Sequence, residues 1–194
     1  MEQRHLDGVV ELQASCFPPP FDPDLLWKRE HVERHLELFP QGQFVATSQG
    51  KVIASCSNTL ISEQNWLAHR SWDETVGGYF LSSFDRSGNT LYGLDISVHP
   101  DFRRQGVARG LYKARFDLVR GPILRYGTAC RLPDFSHNHF PTPEHFAMAV
   151  VAGEAQDRTL TPLLKIGMTM TDVLTNYMDD PESGNAAALL EWRP

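Results

Sequence analysis

Cysteine is scarce in this chain: Cys16, Cys56 and Cys130 are the only three, odd in number, far apart and without a Cys-x-x-Cys pair. That excludes a disulfide-built secreted scaffold and favours a reducing, cytoplasmic setting. Long apolar runs are missing too. No stretch is long enough to span a bilayer, and the first ten residues carry Glu2 and Asp7 where a signal peptide would have an apolar core. Positive charge is in deficit, with 18 Lys and Arg against 24 Asp and Glu and a formal net charge of −6. A general nucleic-acid or anionic-membrane binder is thereby disfavoured, and only a local basic site remains. Repeats, low-complexity tracts and interdomain linkers are absent. The 194 residues, 41% hydrophobic, read as one domain over 1–194 that needs neither disulfide nor structural metal to fold.

What is present is a regular alternation of elements. Apolar spacing at Leu6, Val9, Val10, Leu12 and Cys16 predicts a helix stopped by Pro18-Pro19-Pro20. Asp22 as N-cap and Pro23 at the first position open a second helix running to Pro40. Gln43–Thr47 and Val52–Leu60 read as a hairpin joined by Ser48-Gln49-Gly50-Lys51. Residues 62–89 have no steady period and read as a surface excursion. Strand Thr90–Val98, helix Gly106–Val119 and strand Ile123–Cys130 then form a βαβ crossover with parallel neighbours. Helices Pro143–Gly153, capped by Thr142, and Leu160–Ile166 precede strands Met168–Tyr177 and Ala186–Trp192. The expected fold class is α/β: a mixed, twisted sheet of about six strands with helices on both faces.

The chemistry concentrates in Arg103-Arg104-Gln105-Gly106-Val107-Ala108-Arg109, where a strand ending in Val98-His99-Pro100 delivers the chain to a helix start. A helix N-terminus has unpaired N–H donors and the positive end of the macrodipole, and Gly106 and Ala108 let a bulky anion approach the backbone. Neither the P-loop string nor Gly-x-Gly-x-x-Gly occurs, so those nucleotide loops are excluded.

This segment resembles the acyl-coenzyme-A loop of the GNAT superfamily of N-acetyltransferases, Gln/Arg-x-x-Gly-x-Gly/Ala, and the order of elements fits that family's fold, a mixed sheet splayed between two parallel strands. The usual first strand is absent or very short, since the chain begins almost in its first helix. Trp72-Asp73-Glu74, Gly77-Gly78-Tyr79-Phe80, Leu91-Tyr92-Gly93, Arg131-Leu132-Pro133 and the ending Leu189-Leu190-Glu191-Trp192-Arg193 look like a GNAT domain that precedes a nitrilase-type carbon–nitrogen hydrolase domain in larger bacterial proteins. The 194 residues are expected to hold the first of these domains and not the second.

The resemblance implies acetyl transfer from acetyl-CoA to the amine of a small molecule or peptide by direct attack. Residues 104–109 would hold the pyrophosphate with Arg103 adding charge, and the backbone of Ile96, Ser97 and Val98 the pantetheine and thioester. Asp95, an acid in an apolar strand, is the candidate base; the alternative is that it satisfies backbone groups at a strand irregularity. The family's usual proton-donating Tyr position is Leu163. Tyr126 and Tyr177 read as strand residues with surface hydroxyls. Arg131 either clamps a substrate carboxylate or meets Asp95 or Asp134 structurally, Trp72 and Tyr79 would wall the acceptor pocket, and His137 would sit in a substrate-lining loop. His31 and His35 read as a solvated helix face, Cys130 as a buried small residue, and no metal is expected. A hydrolase partner and a homodimer are the expected assemblies. The rival reading is a non-catalytic acyl-CoA-binding module that regulates or scaffolds a partner.

Overall fold

The computed structural model describes residues 1–19, 21–68 and 70–194. Helix α1 (Leu6–Cys16) buries Leu6, Val9 and Leu12 on one stripe, and Gln13 with them. Pro18 and Pro19 follow its end; Pro20, the last of the expected stop, lies outside the described residues. The second expected helix forms in two pieces, a 3-10 turn at Pro23–Leu25 and α2 (Arg29–Leu38). Asp22 does cap the first piece, accepting from the Asp24 amide. Between the pieces Leu26 and Lys28 are extended, and the Trp27 amide donates to Gln13 Oε1 at 2.7 Å. A buried bond to another helix replaces the bond that a continuous helix would supply, so local periodicity is overridden.

The hairpin β1 (Phe44–Ser48) and β2 (Lys51–Ile61) is tied by Gln49 and Gly50, both at positive φ (50° and 77°), the backbone signature of a tight two-residue turn. Residues 62–89 correct the expected surface excursion. They form α3 (Glu63–Leu67) and α4 (Trp72–Val76), capped by Ser62 and Ser71, and they bury Trp66, Val76 and Leu81 in the core. The Ser71-x-x-Glu74 spacing was the legible signal, since a serine three residues before Glu is a helix start.

Strand β3 (Thr90–Val98), α5 (Val107–Phe116) and β4 (Arg125–Arg131) build the crossover. After it come α6 (Pro143–Ala152), α7 (Leu160–Lys165), β5 (Thr169–Leu174) and β6 (Ala187–Trp192). The six strands lie in the order β1-β2-β3-β4-β6-β5, with β3 and β4 parallel and the other neighbours antiparallel. One face packs on α1, α2 and α4 through Leu6, Val9, Val32, Val76 and Leu81; the other packs on α5, α6 and α7 through Tyr112, Phe146, Val150 and Leu160. Burying each such side chain contributes about 1.5–3 kcal/mol. No described helix is long and apolar enough to cross a membrane.

Candidate active site

The parallel pair holds for three residues only, Thr90 with Arg125, Leu91 with Tyr126 and Tyr92 with Gly127. A last tie follows, from Thr128 Oγ1 to the Gly93 carbonyl at 3.1 Å. Beyond it β3 keeps β2, β4 keeps β6, and the two no longer pair with each other. The His99 amide bonds the Ile53 carbonyl at 2.9 Å, so strand alternation turns the backbone groups of Ile96 and Val98 away from β2, toward the opening. An extended thioester arm could find main-chain partners there. The Ser97 side chain is buried, with no hydrogen-bond partner for its Oγ.

At the end of β3 the loop expected to bind an anion is open to solvent. Arg104 (φ 60°) and Gly106 (φ 82°) are both left-handed, a curl that turns successive N–H groups outward. Gly106 caps α5 and has no side chain to satisfy the first helical N–H groups, which leaves Val107, Ala108 and Arg109 as donors. A Cβ at Gly106 would meet nothing within 4 Å, so glycine is required there by its backbone angle, not by crowding. Arg103 folds back, its Nε donating to the Val98 carbonyl at 3.0 Å, and Gln105 braces the loop on the Asp101 carbonyl at 2.9 Å. Arg104 and Arg109 form no ion pair among the described residues. The donors and free cations suit a pyrophosphate.

Asp95 lies one residue past an irregularity. The β2–β3 register pairs Ser57 with Asp95 but Asn58 with Gly93, so Leu94 is an extra residue, a β-bulge. The Asp95 carboxylate accepts from the Ser57 amide at 3.1 Å and from Gln13 Nε2 at 3.3 Å, and the Trp27 indole reaches it as well. Burial raises its pKa above the ordinary carboxylate value, against the opposing pull of Arg115 and these donors. Both properties foreseen for Asp95, a raised pKa and service to backbone at a strand irregularity, thus occur in one side chain. Sequence reasoning passed over Gln13 and Trp27; a lone Gln among the apolar positions of α1 was the available signal.

Trp72 and Tyr79 converge on Trp27, with ring centroids 6.1 and 5.6 Å from it. His31 stacks on Tyr79 at 4.9 Å, and His35 meets the Trp27 ring edge at 4.8 Å. The expected solvated face of His31 and His35 is therefore corrected: both are buried, because the bend at Trp27 folds aromatic rings over that side of α2. His35 Nε2 donates to the Tyr79 carbonyl at 2.8 Å while Nδ1 has no partner, and burial lowers its pKa to about 4. A neutral buried imidazole binds fewer protons than the unfolded chain between about pH 6.5 and 4, so stability is full above that window and falls through it. The loss should approach about 3 kcal/mol by pH 4. Urea unfolding at stepped pH checks this, and His35→Gln should flatten that part of the slope.

Arg131 is committed to structural acids. Its guanidinium grips Asp180 with two bonds of 2.6 Å and reaches Glu182 at 3.0 Å, while Ser183 Oγ closes the network on Asp180 and accepts from the Leu132 amide. Of the two foreseen roles the structural one is observed, with Asp180 as the acid in place of Asp95 or Asp134. Burial opposes the charge on Asp180, but Arg131 and Ser183 outweigh it and hold the carboxyl below its ordinary pKa. The pair's contribution is therefore full at neutral pH and disappears as pH falls through the carboxylate range. Arg131→Ala should cost about 1–3 kcal/mol, read as a melting temperature lower by several degrees at pH 7 and by less at pH 3.

His137 is exposed on a 3-10 turn, Phe135–His137, beyond this lock. Leu163 is buried among the α6–α7 core residues and carries no proton. Tyr126 and Tyr177 correct the expectation of surface hydroxyls. Tyr177 Oη lies 2.5 Å from Tyr92 Oη, and Tyr126 Oη is buried without a partner, in space that Gly93 leaves by having no side chain. Cys130 is buried, and burial raises its thiol pKa strongly. Among the described residues no group of three or more His, Cys, Asp or Glu could hold a metal ion.

A sheet opened between parallel strands, above a helix whose glycine-capped N-terminus faces solvent without a side-chain cap, defines an acyl-CoA-binding fold. The sequence matches the acetyltransferase (GNAT) family over residues 6–127, and the chain belongs to that family. It is similar to the uncharacterized N-acetyltransferase YkwB of Bacillus subtilis (strain 168), 30% identical over 190 residues, 97% of this chain and 84% of that protein. It is also similar to the probable hydrolase YhcX of the same organism, 33% identical over 195 residues, but spans only 37% of that protein. In fold it resembles the GphF GNAT-like decarboxylase in complex with isobutyryl-CoA, with a TM-score of 0.80 at 21% identity over 100% of this chain and 96% of that one. The family is one of acetyltransferases.

Proposed function

We propose that this chain moves the acetyl group of acetyl-CoA directly to the amine of a small molecule or peptide, with no covalent enzyme intermediate. The opening between β3 and β4, continuous with the glycine-capped α5 loop, is the observation that carries this reading. In it, the N–H groups of residues 104–109 with Arg104 and Arg109 take the pyrophosphate, and Arg103 stays on the strand end. Backbone groups of Ile96 and Val98 flank the thioester, beside the buried Ser97. Asp95 takes the amine proton: burial raises its pKa, which makes it a stronger base than an ordinary carboxylate. Trp72 and Tyr79 wall the acceptor side through Trp27, and His137 contributes from the outer turn. The protein works as one domain over 1–194 in the cytoplasm, a setting supported by its three free thiols. Its partners are a carbon–nitrogen hydrolase, a reading supported by likeness to a part of YhcX, and a second copy of itself. Mass-spectrometric screening of amines, amino acids and peptides with acetyl-CoA tests the activity, and light scattering tests the dimer.

One observation favours the second reading, a non-catalytic acyl-CoA-binding module: Leu163, buried and apolar, stands where the family places its proton donor. Coenzyme A binding without product from any amine would decide for that module.

A further inference from the structure

Arg115, near the end of α5, is 1% exposed and forms no ion pair among the described residues. Burying a guanidinium without a carboxylate is costly, so its contacts must return that cost. Its Nη2 donates to the carbonyl of Asp95 and, at 3.2 Å, to the carbonyl of Ser57. These are the two residues paired across the sheet where the register slips around Leu94. The Tyr112 and Tyr126 rings lie under the guanidinium, 5.0 and 5.4 Å from its carbon, and hold the cation in place. A bulge leaves carbonyls poorly matched to the facing strand; Nη2 alone takes both of them, and a guanidinium fork resting on two rings holds that nitrogen in a fixed place as a lysine ammonium would not.

We propose that Arg115 is a positioning residue for acyl transfer: by clamping the Ser57 and Asp95 carbonyls from the α5 face, it fixes the bulge that aims the Asp95 carboxylate at the opposite, acceptor face. The inference rests on the role given to Asp95 above. The charged and titratable groups around the pair are few. Arg115 faces Asp95 from α5, Cys16 from α1 and Cys56 from β2, while Tyr112 and Tyr126 face Arg115 from α5 and β4. Cys16 and Cys56 are both held protonated by burial, so Arg115 is the cation that opposes protonation of Asp95.

Arg115→Met and Arg115→Lys test this. In folded Arg115→Met, carboxyl-carbon NMR should find the Asp95 titration moved up by about one unit or more, because its neighbouring cation is gone. Turnover should fall by about tenfold or more, with coenzyme A affinity within about threefold of wild type. Arg115→Lys keeps the charge but not the fork: the Asp95 titration should stay near wild type while turnover still falls. Unchanged titration and turnover in Arg115→Met overturn the proposal. If that variant does not fold, wild-type turnover in Arg115→Lys overturns it instead. Should no amine be acetylated, the Asp95 titration alone decides on Arg115, separately from the activity.

Discussion

Asp95→Asn is expected to lower turnover by about 10² to 10⁴ while coenzyme A affinity stays near wild type. The substitution keeps the outline of the side chain and removes the proton acceptor. It does not leave every bond intact. One amide oxygen can still accept from the Ser57 amide, but the new NH₂ then faces Gln13 Nε2, a donor that cannot turn around without abandoning the Trp27 amide. One unsatisfied donor pair costs about 1–3 kcal/mol, so the melting temperature should drop by several degrees. The pH profile separates the two consequences. In wild type the rate should rise with pH through the elevated Asp95 pKa, and in the variant that limb should vanish. Full activity with the limb intact would give deprotonation to water or another group.

Gly106→Glu should abolish coenzyme A binding in a chain that still folds. At φ 82° a non-glycine residue costs about 1–2 kcal/mol, and the added Cβ meets no neighbour, so a domain of ordinary stability tolerates it. The new carboxylate would lie against the first N–H groups of α5, where it takes their bonds and repels a pyrophosphate. Wild type at a coenzyme A concentration a hundredfold above Kd gains about 2.7 kcal/mol, a melting shift of roughly 5–10 °C. The variant should show none at millimolar coenzyme A. Gly106→Ala, strained but uncharged, should keep part of the shift; an equal loss would mean that backbone angle alone matters.

The loop at 103–109 and the helix start it opens were legible in the sequence because they are local: seven consecutive residues supply the donors, the curl and the charge. Strand β3 was legible to the residue, and the alternation of helices and strands conveyed the two-faced sheet. What escaped was set by contacts distant along the chain. Gln13 meets Asp95 82 positions away, and Arg131 meets Asp180 49 positions away. Neither partner is marked by spacing, and a surface Arg–Asp pair would have the same letters. The second helix broke at Trp27 because a buried bond from another helix outweighed its periodicity. Arg115 was hidden for the opposite reason: at its place in an amphipathic helix an arginine reads as solvent-facing, and only the bulge beneath it explains its burial.

The parting of β3 and β4 has a cost in the free protein. Strand edges normally lie at the rim of a sheet, where charge, proline or a covering helix keeps them from recruiting other chains. Here two of them face each other in the middle of the molecule, unpaired with one another past Tyr92 and Gly127, with the Gly93 and Val98 carbonyls held by the Thr128 and Arg103 side chains. A slender extended ligand, lying along them like a missing seventh strand, completes the lattice from inside. On the reading proposed above, a bound donor would shield this inner stretch of backbone from a second polypeptide, while the rim strands β1 and β5 stay as they are.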